Sequence, residues 1–469
     1  MDEEAERFLT FERWWGGHFL LTKDEIGFIT EELFIGNKLA LGGIQSSGGQ
    51  QVDLRNIRAP IVVFASKGDN ITPPQQALNW ILDTYASTDD IRACGQVIIY
   101  MLHESIGHLG IFVSGGVAKR EHRAMIDNLD VISTLPPGLY EMTIEKGGAE
   151  GGWKVGFAKR ELSDIQSLDD SRREELFFIP VARVSEFNKN AYEQFVSPWM
   201  RMLGSPLSGE MIRRANPDRL DRWLWSEINP LMTVVGDLAG TVRDQRRRAS
   251  PDNPFLRAEQ QTAELMANWL DHFRDVRDMA TETLFYMLYN PLHLAMRSEE
   301  ADLLERRSQR LDSRSRQARA ELERQVRADV AEGGVPEAVL RVLLWLARRR
   351  PVVDAQRFRL AEAALTGSAM LDSRQMRDAI RRQFYLLIVD EEAAIAALPD
   401  LVASADDRKA MLDVVDKVAA EIGGITSEQQ DDLERVRRML TAPVTEARTA
   451  GSRRRGPPPP SAETQRPLH

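Results

Sequence analysis

A chain of 469 residues with 43% hydrophobic content has material for roughly two to four packed domains, which excludes a disordered protein. The formal net charge of -10 argues against a general nucleic-acid binder. One cysteine, Cys94, rules out an intramolecular disulfide and a cysteine-based metal site. The arginine runs beginning at 246, 348 and 453 mostly have acidic neighbours and read as solvated helix ends rather than phosphate contacts. The opening "MDEEAERFLTFERWWGG" has no basic region leading into an apolar one, and no stretch approaches the ~20 apolar residues of a membrane span. The expectation is a soluble cytoplasmic protein with no membrane span and no nucleic-acid partner.

From about 55 to 113 strand and helix alternate. "IRAPIVVFAS" is a short apolar run. "PPQQALNWILDTYAS" then predicts a helix with Pro73 and Pro74 in its first turn and Ala77, Leu78, Ile81, Leu82 and Tyr85 on one face. "GQVIIYMLH" is the next apolar run, so the segment predicts a βαβ unit with parallel strands inside a covered sheet. "GLYEMTI" and "WKVGFAK" predict strands on either side of the glycine-rich "EKGGAEGG", and "LFFIPVARV" is a further strand candidate.

Beyond Asn188 the signal is helical. A long periodic run starting at "NPFLRAEQQ" is expected to stop at Pro291. The stretch 301–334 is poor in large apolar residues and rich in opposite charges, and reads as an exposed helix or a linker. After Gly334 come several amphipathic runs, with Val414, Val418 and Ile422 in step and Ser427 with Gln430 as a capping box. The last helix is expected to bury Leu433, Val436 and Leu440, and the proline-rich end a disordered tail.

The expected domains are therefore 1–135 (the end of an α/β sheet domain), 136–300 (mixed strand then helix), 301–334 (charged helix or linker), 335–441 (helical module) and 442–469 (tail). The fold class is α/β followed by mainly α.

Functional groups in parallel sheets gather at the carboxyl ends of the strands. Asp69 lies just past the first run, His103 ends the second, and His108 follows in "HESIGHLGIF". A carboxylate after one strand and a histidine after the next is the acid–base half of a nucleophilic triad. The carboxylate fixes the imidazole tautomer and stabilises the imidazolium. Asp69 also suits a helix cap or an Asx turn, and both readings stand at this point. His108, flanked by Gly107 and Gly110, is the preferred base over His103. "HESIGH" spaces its histidines five apart, which takes them off one helical face, so no metal or other cofactor is expected.

"VDLRNIRAPIVVFASKGDNITPP" followed by "GHLGIF" resembles the C-terminal part of poly(3-hydroxyalkanoate) synthases and their α/β-hydrolase relatives, over about residues 5 to 120. Asp69, Ile71 and Pro73 match the setting of the family's catalytic Asp, and Gly107 with His108 match its Gly-His base. "FERWWGG" and "ELFIGNKLA" resemble the segment between core and cap, although "RWWGG" stands where synthases have a Trp-Asn-x-Asp-Thr-like stretch. Over most of its length the chain resembles a bacterial family of synthase-like proteins of unknown function in which this segment precedes a long helical extension.

The resemblance implies acyl transfer or hydrolysis on an acyl ester or thioester, with Asp69 as acid and His108 as base. It also implies a Gly-x-Cys/Ser-x-Gly elbow upstream, and nothing in the chain fits one. Ser46 and Ser47 have Ile44 and Gln45 before them and no evident strand leading in; Cys94 reads as a buried or idle thiol. Only about two parallel strands are evident, which would leave an unpaired edge. The expectation is that this sequence is the C-terminal portion of a longer protein, catalytically silent by itself, with a degenerate scaffold as the alternative.

The helical end resembles the tellurite-resistance TerB-like fold, in which Asp354, Glu428 and Asp431 would be acidic positions after turns. A competing expectation is a non-catalytic interaction protein that binds a protein partner through the helices of 190–440.

Overall fold

The computed structural model describes all residues except 1, 16–19, 109, 111–113, 147–152, 169–171, 173, 227, 248, 328, 368–372, 423 and 442–469. The expected tail lies outside the described residues. The chain forms two compact units, neither continuous in sequence: the first contains Met1–Phe19, Leu39–Leu168 and Leu311–His469, the second Leu20–Lys38 and Asp169–Arg310. The sheet segment and the C-terminal helices thus belong to one unit, where the sequence reading set them in separate domains.

In the first unit, β1 (Ile44–Gln45) and β2 (Gln51–Val52) make a small antiparallel hairpin. A five-stranded sheet follows, in the order β3 (Ile61–Ser66), β4 (Val97–His103), β5 (Gly138–Lys146), β6 (Trp153–Arg160), β7 (Val352–Asp354). β3, β4 and β5 run parallel, while β6 and β7 add antiparallel strands. The predicted βαβ unit is therefore present and extended by a third parallel strand. β3 has a neighbour on one side only among the described residues.

Alternation along β4 builds a layer on each face. Ile98 and Tyr100 pack with Leu78, Ile81, Leu82 and Tyr85 from the Pro74–Thr84 helix and its end, as the apolar spacing predicted. Val97, Ile99 and Met101 face the other way, onto Val131, Ile132, Phe157 and Ala355. This second layer explains why the C-terminal helices cannot be a detached module. The turn after "LARRR" pairs as β7 with β6, Phe157 opposite Val353, and Ala355 enters the sheet core.

Helices Val335–Ala347, Ala355–Gly367, Ser373–Val389, Ala405–Glu421 and Ser427–Thr441 enclose a core centred on Val339, Val342, Trp345, Met411 and Val415. Leu433, Val436 and Leu440 are buried as expected. The capping box sits one residue earlier than predicted: Gln429 N donates to Thr426 Oγ1, and Thr426 N donates to Gln429 Oε1. Thr426 precedes the helix and is placed to accept from its third residue, which Ser427, already helical, is not.

Two further expectations are corrected. "LFFIPVARV" is helical, a 3-10 turn over Glu174–Phe177 running into the Phe178–Ala191 helix, with Pro180 tolerated in the first turn. The long helix does not stop at Pro291 but spans Pro254–Ala295 with that proline inside it, one turn from its end, where little further hydrogen bonding is disrupted. The charged stretch is a helix, Arg297–Arg327, whose last turns bury Leu322 and Val326 against Leu386 and Ala394.

Candidate active site

β3 and β4 end side by side, Ser66 opposite His103. The chain leaving β3 must turn under the chain leaving β4, and several contacts hold that crossing. Lys67 N donates to His103 O at 2.9 Å, and Ser66 Oγ donates to Ile106 O at 2.6 Å. Gly68 lies so near the second loop that a Cβ there would fall 2.5 Å from Ser105 O and 2.9 Å from Ile106 N, so only glycine permits the approach.

The crossing places Asp69 against His108. Asp69 is 6% exposed. Its Oδ1 accepts from Ile71 N at 2.9 Å and Thr72 N at 2.8 Å, while Oδ2 lies 2.9 Å from His108 Nδ1. One carboxylate serves two contacts, since one oxygen makes the Asx turn and the other faces the ring. Burial opposes its ionisation. The Thr72 amide, the His108 ring and the Ile71 amide outweigh that and hold the carboxyl below the usual aspartate range.

The His108 side chain is 39% exposed, and among the described residues its Nε2 makes no hydrogen bond. An imidazole braced at Nδ1 by a carboxylate and open at Nε2 can accept a proton from a hydroxyl or thiol brought to that side.

His103 is differently employed. Its Nδ1 accepts from Ser105 N and Ile106 N, each at 3.2 Å, and its Nε2 lies 3.9 Å from Glu121 Oε1. The ring holds the turn that leads to His108.

Cys94 lies before β4, at the strand end opposite to His103, and seven residues of strand put about 20 Å between the two ends. Burial, the largest influence, pushes its thiol upward. Ser46 does follow a strand, contrary to the sequence reading, but Ile44–Gln45 leads into a hairpin, with Ser46 N donating to Gln50 O, not into a strand-to-helix elbow. Of the candidate acidic positions, Asp354 accepts from Arg357 N and pairs with Lys154, Glu428 pairs with Arg349 at 3.6 Å, and Asp431 is exposed. Among the described residues no group of three or more His, Cys, Asp or Glu side chains is placed to hold a metal ion.

A family model described as "Protein of unknown function (DUF3141)" matches residues 1–331. The chain belongs to this family. It is also 42% identical over 421 residues to an "Uncharacterized protein in ackA 5'region" from Rhizobium meliloti, a match covering 86% of this chain and 57% of that protein. The chain thus spans little more than half the length of the curated relative it matches. No solved structure matches the chain. Neither family nor relative ties it to poly(3-hydroxyalkanoate) synthases.

Sequence reasoning missed the residues that support the pair. Ser66 and Gly68 are both explained by the close crossing of the two loops, and the signal for Gly68 was its place one residue before the Asp at a strand end. Glu121, buried beside His103 and 3.5 Å from Arg120, carried no local signal at all.

Proposed function

We propose that Asp69 and His108 form the acid–base half of an α/β-hydrolase-like site that acts on acyl esters or thioesters, as a poly(3-hydroxyalkanoate) synthase-like enzyme would. The single observation that supports the reading is the 2.9 Å contact between Asp69 Oδ2 and His108 Nδ1 at the carboxyl ends of adjacent parallel strands. In this reading a Ser or Cys nucleophile comes from a segment outside these 469 residues and approaches His108 Nε2. His108 takes its proton as it attacks the acyl carbonyl, Asp69 stabilises the imidazolium, and the proton returns to the leaving alkoxide or thiolate. The open side of β3 is where further strands of such a sheet would pair.

The test is turnover of 4-nitrophenyl acyl esters and acyl-thioesters by the 469-residue chain and by the longest in-frame product of its gene. The long product is expected to turn over substrate, with His108→Ala lowering kcat at least ~100-fold, and the short chain to be silent. Activity of the long product that survives His108→Ala sinks the acid–base assignment. Activity of the short chain that His108→Ala abolishes sinks the external nucleophile.

A second reading, a helical protein that binds a protein partner, is favoured by one surface. Along Pro254–Ala295 the exposed Met266, Trp269, Phe273, Val276, Leu284 and Met287 recur at nearly heptad steps. The opposite face is already occupied, Phe285 and Tyr286 packing on Phe178 and Phe177. In this reading the same helix of a second copy covers that seam. Sedimentation equilibrium is expected to show a dimer that Trp269→Glu with Phe273→Glu dissociates; a monomer at all concentrations counts against it.

A further inference from the structure

The C-terminal helices of the first unit do not fill the space they enclose. Between Val335–Ala347, Ala355–Gly367, Ser373–Val389, Ala405–Glu421 and β7 lies a cavity of about 160 Å³. Its wall is almost wholly apolar, with Leu343, Leu344, Phe358, Ala361, Val418 and Ile422 typical of it. The cavity opens to solvent on one side, and since an apolar cavity of ~150 Å³ can hold a six-carbon ring, this one has room for a short hydrocarbon chain. Leaving it empty forfeits the dispersion contacts that a chain would make.

The polar residues of the wall are few. Arg350 is half-buried and Arg357 exposed, so they sit where the cavity meets solvent. Arg350 donates to Gly424 O at 3.0 Å and to Gln429 Oε1 at 3.4 Å. Burial, and then the charge of Arg357, press its guanidinium below the usual arginine range, so two like charges lie near each other at the rim. Asp354 offsets this only in part: its charge acts on Arg350 after burial and Arg357, and its carboxylate is also engaged by Lys154 at 3.3 Å and by the Arg357 amide. Glu362 also lines the wall, and burial followed by the nearby Asp130 raises its carboxyl above the usual range. Among the described residues the Arg357 guanidinium makes no hydrogen bond or ion pair.

We propose that this cavity binds a single-chain anionic amphiphile, a medium-chain carboxylate of about six to eight carbons, with its tail among the helices and its head group on Arg357 and Arg350. The site is independent of Asp69 and His108, so its failure and theirs are separable. A guanidinium with free donors at the mouth of an apolar cavity selects a head group that is both charged and planar. The apolar part of the wall selects for the length of the tail.

Titration calorimetry of the whole chain with octanoate, octyl phosphate and octan-1-ol tests this. Octanoate is expected to bind saturably, and octanol at least about tenfold more weakly, the loss of one charge-assisted hydrogen bond. Arg357→Ala, an exposed change that leaves the core untouched, is expected to erase that difference. Ala361→Phe, which grows into the cavity, is expected to abolish binding of all the ligands. Octyl phosphate binding tighter than octanoate overturns the carboxylate as head group. Equal binding of octanoate and octanol, no effect of Arg357→Ala, or no saturable binding by the folded wild-type chain overturns the proposal.

Discussion

The two units of this chain use apolar residues in opposite ways. In the first, Trp345, Tyr100, Phe157 and Leu78 are all less than 2% exposed or close to it, and the sheet carries a packed layer on each face. In the second, the buried residues among those described are Pro180, Ser197 and Asn229, while Trp199, Trp223, Trp225, Trp269 and Phe273 are exposed. Both units are rich in amphipathic helices. The difference teaches that a helical pattern reports which face is apolar, and says nothing about whether the same chain covers that face. The first unit is held by its own core; the second presents its apolar residues outward.

The largest expected effect sets one tryptophan against another. Trp345 is fully buried, its Nε1 donates to Glu391 Oε1 at 2.8 Å, and Arg348 lies over its ring at 4.3 Å. Trp345→Ala should cost ~3–5 kcal/mol in denaturant unfolding. Trp269, 63% exposed, should tolerate Ala within ~0.5 kcal/mol in a dilute monomer. Equal losses would break the comparison between the units.

A buried charge sharpens it. Arg341 is wholly buried, and burial with the nearby Arg382 pushes its guanidinium down to about 10. It donates to Gln383 Oε1, Val330 O and Ala394 O, which ties three parts of the helical core together. Arg341→Leu strands those acceptors and should cost ~2–3 kcal/mol. The low end is expected, because among the described residues Arg341 Nη2 and Gln383 Nε2 already lack partners. No arginine of the second unit is wholly buried among the described residues, so an Arg274→Leu control there should leave unfolding almost unchanged.

Gly68→Ala comes next, at ~1–3 kcal/mol, because its Cβ meets backbone of the neighbouring loop that has no way to yield. Gly240, in a helix of the second unit with open space around it, should accept Ala with no loss or a small gain from helix propensity. Thermal unfolding of the two variants reads both outcomes.

The candidate site was more legible than the architecture that carries it. Strand-like runs ending at Ser66 and His103 locate Asp69 and His108 because parallel strands deliver their ends to one edge, and that inference needs only local pattern. The pairing of β7 with β6 was illegible, because three residues between two helices carry no periodicity, and their partner lies far away in sequence. "LFFIPVARV" misled for a related reason. A continuous apolar run is compatible with strand or helix, and here it is a helix whose Phe178 packs on Phe285 of the long helix. Local spacing also could not reveal that the C-terminal helices cover one face of the sheet.

The smallest effect expected is electrostatic, and it again separates the units. The Asp69 carboxyl is held below its ordinary value in the folded state. A depressed acid contributes stability that is complete above its unfolded value, about 3.9, and that is lost as pH falls through the folded value. Asp69→Asn keeps the Asx turn but loses the charge facing His108, so it should cost ~1–2 kcal/mol near neutral pH and progressively less below about pH 4. Glu25 of the second unit is also held low, by the Thr22 amide and hydroxyl of its capping box, but it is fully exposed. Glu25→Gln should therefore leave the acid limb of unfolding almost unchanged. Parallel acid limbs for wild type and Asp69→Asn would mean that the carboxylate is not working against the ring, and the proposed role of His108 as a base would lose its orienting partner.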